Sequence, residues 1–122
     1  QHNTKLLQLA NGAYLSVPYD FDMSGLVDAP YAVVSQVNGV QLDAQTVRDR
    51  VYRGWCRSPE LTEFVRNEFI SKQAALLSEA DTLKGELNEK EIKEIKSYLA
   101  EFFAVIKDDQ LFKSRIIDQC RK

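Results

Sequence analysis

Ile92, Ile95, Leu99, Phe102 and Ile106 recur at alternating spacings of three and four residues, which predicts the clearest amphipathic helix of the chain. Asn88 and Glu91 stand ahead of it as a capping box, with Asn in the usual Ser/Thr place, and Gly85 marks the break before it. Ser58-Pro59 predicts another helix start, an N-cap followed by Pro at the first helical position, and Leu61, Phe64, Val65, Phe69 and Leu76 supply its apolar stripe. A last helix is predicted from about Asp109 to Cys120, offering Leu111, Phe112, Ile116 and Ile117. Stripes of this kind are expected to face a core. Residues 44–57 also read as a helix, broken near Gly54. Val47, Val51 and Trp55 would face inward there, while Arg50, Arg53 and Arg57 share another face. Planar guanidinium groups grip oxyanions, so these three arginines are candidate contacts to a phosphate or an acidic substrate segment. The competing reading pairs Asp49 with Arg53 and leaves the arginines to internal ion pairs.

The N-terminal pattern is different. Thr4 to Ala10 and Ala13 to Tyr19 have strand-type composition and are separated by Asn11-Gly12, a strong hairpin signal. A two-residue type I′ turn there would oppose Ala10 to Ala13, Leu9 to Tyr14, Leu7 to Ser16, Lys5 to Pro18 and Asn3 to Asp20. Pro18 then falls at a non-hydrogen-bonded position, where its missing N–H does no harm. Directly opposed residues have Cβ atoms roughly 4.5–5.5 Å apart. Asp22 would point the same way as Asp20, and Phe21 the other way. An amide oxygen and two carboxylates are hard ligands suited to Mg²⁺, which otherwise prefers water and phosphate oxygens. Asn3, Asp20 and Asp22 are therefore the candidate metal ligands. Gly25 is where the chain should turn away, and 26–43 reads as a long loop with a brief strand over Tyr31 to Val37.

His2-Asn3, a strand, a turn, a second strand and Tyr19-Asp20-Phe21-Asp22-Met23-Ser24-Gly25 resemble the end of the catalytic loop and the metal-binding segment of atypical bacterial kinases. The likeness is to the spore-coat kinase CotH, to HipA-type kinases and to uncharacterised bacterial proteins with a Pro-Tyr-Asp-Phe-Asp element followed by Ser-Gly. It implies that Asn3 and Asp20 ligate metal bridging nucleotide phosphates, with Asp22 shared only with the coat-kinase pattern. ATP with Mg²⁺ is the implied cofactor of the full-length parent, and this chain alone is not expected to retain it. The family's catalytic Asp, phosphate-covering loop and nucleotide-holding Lys lie upstream of the Asn. The chain starts at Gln1 without an initiating Met, so it is expected to be part of a longer or processed product whose missing N-terminal part is its partner. No catalytic residue is expected in this chain.

With 122 residues the chain suits one domain or fragment: a hairpin over 1–25, the loop over 26–43 and a helical part over 44–122. The expected fold class is α+β, mainly α, with the hairpin packed on a bundle of three to four helices; the resemblance makes this a partial kinase-like C-terminal lobe. A net charge of −2 argues against a nucleic-acid binder, and no apolar run approaches the ~20 residues of a membrane span. Cys56 and Cys120 lack metal-ligand spacing, and His2 is the only histidine, which argues against zinc. The cysteines are either two buried thiols or one disulfide. Closing so long a loop is worth roughly 4 kcal/mol in the chain-entropy model and implies an oxidising compartment. Several proteins the chain resembles look exported, which favours the bridge and an exported or periplasmic location. Two function classes follow: the C-terminal part of a kinase-like phosphotransferase acting on an unknown substrate, and a non-catalytic helical interaction module whose carboxylates are merely solvated.

Overall fold

A computed structural model describes residues 3–34 and 43–122, so His2 lies outside the described residues. The fold is α+β and mainly helical: among the described residues, an N-terminal two-stranded antiparallel hairpin is followed by four helices. The chain divides into two compact units, Gln1–Asp49 and Arg50–Lys122.

In the first unit, β1 (Thr4–Gln8) pairs with β2 (Tyr14–Pro18), and Asn11-Gly12 lies in the turn. The register is one residue away from that of a type I′ turn. Leu6 faces Ser16, Leu7 faces Leu15 and Thr4 faces Pro18. The loop is Ala10-Asn11-Gly12: the Gly12 amide donates to the Leu9 carbonyl at 2.9 Å, and Gly12 takes the left-handed conformation at φ +82°. This is the three-residue hairpin loop, a tight turn closed by one left-handed residue, and glycine suits that position. The Asn11 carboxamide oxygen accepts from the Ala13 amide at 3.0 Å and reinforces it. Pro18 could not distinguish the two registers. Asn3 and Tyr19 form a hydrogen-bonded pair here, through the Tyr19 amide and the Asn3 carbonyl at 3.1 Å, so Thr4 opposite Pro18 is again a non-hydrogen-bonded pair.

Residues 44–57 are not a helix. The Asp49 carboxylate accepts from the amides of Gln45 and Thr46, both at 2.8 Å, and from the Thr46 hydroxyl, closing a single turn. These donors, the Thr46 amide foremost, hold the Asp49 carboxyl below its ordinary value, and they replace the expected pairing with Arg53. Beyond it the backbone is claimed by the far end of the chain. The Arg121 amide donates to the Gly54 carbonyl at 2.9 Å, the Cys56 amide donates to the Arg121 carbonyl at 2.8 Å, and Trp55 bridges Arg121 in parallel. No strand forms over residues 31–34, and residues 35–37 of that expected strand lie outside the described residues.

The helices start where their caps place them. The Ser58 hydroxyl accepts from the Leu61 amide at the start of α1 (Pro59–Ser71). α2 (Gln73–Glu79) runs into a 3₁₀ turn, Ala80–Leu83, and Gly85 at φ +105° breaks the chain. Asn88 and Glu91 form both halves of the capping box on α3 (Glu89–Lys107). The Asp108 carboxylate then caps α4 (Asp109–Phe112), which continues as a π-helical segment, Lys113–Ile117. The centre is Phe103, Ile106 and Phe112, with Phe103 only 1 % exposed, and Ile70, Phe102 and Ile116 packed around them.

The stripe of α1 does not fill this core. Leu61, Val65 and Phe69 are exposed, and Phe64 is 63 % exposed. What fastens α1 is Arg66, whose side chain is 10 % exposed. Its Nε donates to the Ile106 carbonyl at 2.6 Å and one Nη to the Lys107 carbonyl, both at the C-terminal end of α3, where carbonyls lack helical partners. The guanidinium also meets Glu63 at 2.9 Å and Asp109 at 2.6 Å and lies 4.4 Å above the Phe112 ring. Asp109 raises its already high pKa furthest, so the charge is permanent. Arg66→Ala should destabilise the protein by about 2 kcal/mol in urea unfolding, since it strips the donor from the half-buried Ile106 carbonyl and breaks the ion pairs around it. Asp109→Asn, at an exposed partner, should cost less than about 1 kcal/mol.

Candidate functional site

The sequence-derived ligands meet, but by a different route. Asn3 opposes Tyr19, and its side-chain amide reaches diagonally to donate to the Asp20 main-chain carbonyl at 2.7 Å. Asp20 has φ +60°, a left-handed conformation that few side chains other than Asn and Asp tolerate. β2 has already ended at Pro18, and the left-handed Asp20 turns the chain beyond it, so strand alternation no longer governs Asp22. Asp22 instead opens a turn: one of its carboxylate oxygens accepts from the Met23 amide at 2.9 Å, and the Ser24 amide closes onto the Phe21 carbonyl at 2.8 Å. Ser24 extends the turn by accepting the amides of Val27 and Asp28 on its carbonyl, which carries the chain past the buried Gly25.

This backbone brings the Asp20 and Asp22 carboxyl groups into hydrogen-bonding range. The Asp22 carboxylate, first by that hydrogen bond and then by its charge, raises the Asp20 pKa above the ordinary 3.8. Tyr31 joins them. Its phenol is pushed above the ordinary 10.0, chiefly by the Asp22 charge, then by desolvation and by its polar contact with Asp22. Residues Ala29 to Ala32 deliver it through a turn with Pro30 inside, closed by the Ala32 amide on the Ala29 carbonyl at 2.8 Å. Tyr31 was absent from the sequence-derived ligand set; Pro30 just ahead of it was the available turn signal. A second left-handed Asp, Asp28 at φ +50°, is tied by Arg48 at 3.3 Å.

Chemically this is a pair of carboxyls in which Asp20 holds its proton more firmly than it would alone, flanked by the Tyr31 phenol and held by one amide. A divalent cation could replace that proton and turn the repulsion into coordination. Two carboxylates suit Mg²⁺ only when water or phosphate supplies the other positions. Among the described residues no group of three His, Cys, Asp or Glu side chains could hold a metal.

The arginines do not form a shared face, because the helix that would align them is absent. Arg50 is committed within the helical unit: it bonds Glu101 at 3.1 Å, donates to the Tyr98 carbonyl and stacks 3.7 Å from the Tyr98 ring. Arg53 is half-buried and Arg57 exposed in the segment before α1. Cys56 and Cys120 are joined in a disulfide with Cα atoms 4.9 Å apart. Among the described residues no helix is long and apolar enough to cross a membrane.

The carboxyl pair has a pH signature. Because the folded site holds its proton above pH 3.8, the arrangement is favoured most below that pH and loses this contribution as pH rises through the folded pKa of Asp20. In a carboxyl-carbon NMR titration, Asp22→Asn should return Asp20 toward its ordinary value and lower the Tyr31 pKa. An Asp20 curve unchanged by that substitution would contradict the pairing. No family model matches this chain, and neither a curated protein nor a solved structure matches it.

Proposed function

We propose that Asp20 and Asp22, with Asn3 beside them, form a divalent-cation site that holds nucleotide phosphates in a kinase-like phosphotransferase, the reading implied by the resemblance to CotH and HipA-type kinases. The observation that carries it is the meeting of two carboxyls at a left-handed aspartate, with the Asp20 proton held above its ordinary range. Strained backbone of this sort is concentrated at binding sites, where the surrounding structure has to hold it in place. The cation, when bound, would bridge and neutralise phosphate oxygens. Asn3 holds the Asp20 peptide, the Met23 amide orients Asp22, and Tyr31 is placed to donate to Asp22. The resemblance puts the catalytic Asp upstream of Asn3, so the proposal assigns this chain a role in binding and not in proton transfer.

A second reading is favoured by α1, whose Leu61, Phe64 and Val65 are left exposed. Here the helical unit is an interaction module and the carboxyls are solvated. One titration separates the two. Protein expressed from the complete reading frame should bind ATP only with Mg²⁺ or Mn²⁺, and Asp20→Ala should weaken that binding at least tenfold, because a cation bridging the phosphates would have lost an anionic ligand. The 122-residue chain alone should bind Mg²⁺ weakly. Metal-dependent binding undiminished in Asp20→Ala refutes the assignment, and loss in Asp22→Ala alone would exchange the ligand roles.

A further inference from the structure

The helical unit contains a covalent link that its core does not use. Cys56 is exposed and Cys120 half-buried, and they lie 64 residues apart in sequence. Cys56 precedes α1, and Cys120 follows the π-helical segment that ends at Ile117. The core side chains, Phe103, Ile106 and Phe112 with Ile70, Phe102 and Ile116, all belong to elements between the two cysteines. Outside the core, residues 54–56 are held to the chain end by two main-chain hydrogen bonds at Arg121 and by the Arg121 guanidinium stacked 4.5 Å from the Trp55 ring. Trp55 is itself 54 % exposed, so this stack is wet and weak. Solvent-exposed hydrogen bonds with little apolar burial around them open at low free energy.

We infer that Cys56–Cys120 is a redox-sensitive clasp: reduction releases residues 51–57 from the chain end while the helices from Pro59 to Ile117 stay folded. The released stretch carries Arg53, Trp55 and Arg57, and Trp55 is otherwise bridged to Arg121 at the chain end. The reductant is a dithiol. One of its thiolates attacks a cystine sulfur, the S–S bond breaks to a mixed disulfide, and the second thiol resolves it. Two electrons and two protons end on Cys56 and Cys120, and the reductant leaves as its own disulfide. Exposure of Cys56 gives the reductant access without prior unfolding.

Limited trypsin digestion at 25 °C, with and without dithiothreitol, tests this when cut sites are identified by mass spectrometry. Cleavage after Arg53 and Arg57 should accelerate by about tenfold or more on reduction, the range expected for local opening, while helical circular dichroism at 222 nm is retained. The Cys56→Ser/Cys120→Ser protein should behave like the reduced form with no reductant present. Unchanged cleavage in both would mean that non-covalent contacts hold the segment, which overturns the proposal. Loss of most of the helical signal would overturn it too, because the bond would then be a staple of the whole unit.

Discussion

Arg66 is the constraint on which the helical unit depends. Among the described residues, the buried apolar side chains are Ala80, Ile92, Phe103, Ile106 and Phe112. A core of that size takes only Ile70 from α1, whose Leu61, Phe64 and Val65 stay exposed, so the helix has little hydrophobic attachment. One guanidinium compensates by satisfying carbonyls at the end of α3, meeting Asp109 at the start of α4 and covering Phe112. It thereby fixes three helices at the point where α3 ends, and the edge-on contact of Phe69 with Phe102 at 5.5 Å completes the attachment. A similar but weaker polar tie, Lys96 to Asp81 at 2.6 Å, positions the 3₁₀ turn against α3 and lowers the Asp81 carboxyl, so that tie is lost as pH falls through the acidic range.

The hairpin unit shows the same dependence on polar geometry. Its strand side chains are exposed apart from the half-buried Thr4, and a two-stranded ribbon has little stability of its own in water. Order around the carboxyl pair comes instead from hydrogen bonds: Asn3 to the Asp20 carbonyl, Met23 to Asp22, and the successive amides on Ser24. A site built this way is set by backbone turns, so its geometry should be less sensitive to changes in strand side chains than to changes at Asn3, Asp20 or Ser24.

Features determined over a few residues were readable from the sequence. The caps at Ser58 and Asn88, the break at Gly85 and the hairpin at Asn11-Gly12 are short-range chemistry, and they stand where the residues put them. Loop length was not readable, because Asn-Gly serves both a two-residue turn and a three-residue loop with left-handed Gly12, and Pro18 is tolerated in both. The helix expected over 44–57 failed for a long-range reason: Gly54 and Cys56 are paired with Arg121, a partner no local pattern reveals. At the site, the nearness of Asp20 to Asp22 was legible, but its cause, a left-handed Asp20, was not, and Tyr31 arrives through a turn outside the hairpin.

Paramagnetic broadening by Mn²⁺ tests the central claim directly, because it locates a divalent cation whatever the catalytic competence of the protein. On the isotope-labelled chain in the presence of ATP, the account predicts that broadening centres on Asp20, Asp22 and the Asn3 side-chain amide, spreads to Met23 and Tyr31, and disappears in Asp20→Ala. Broadening that centres on the acidic first turn of α3, at Glu89 and Glu91, or that persists unchanged in Asp20→Ala would contradict it.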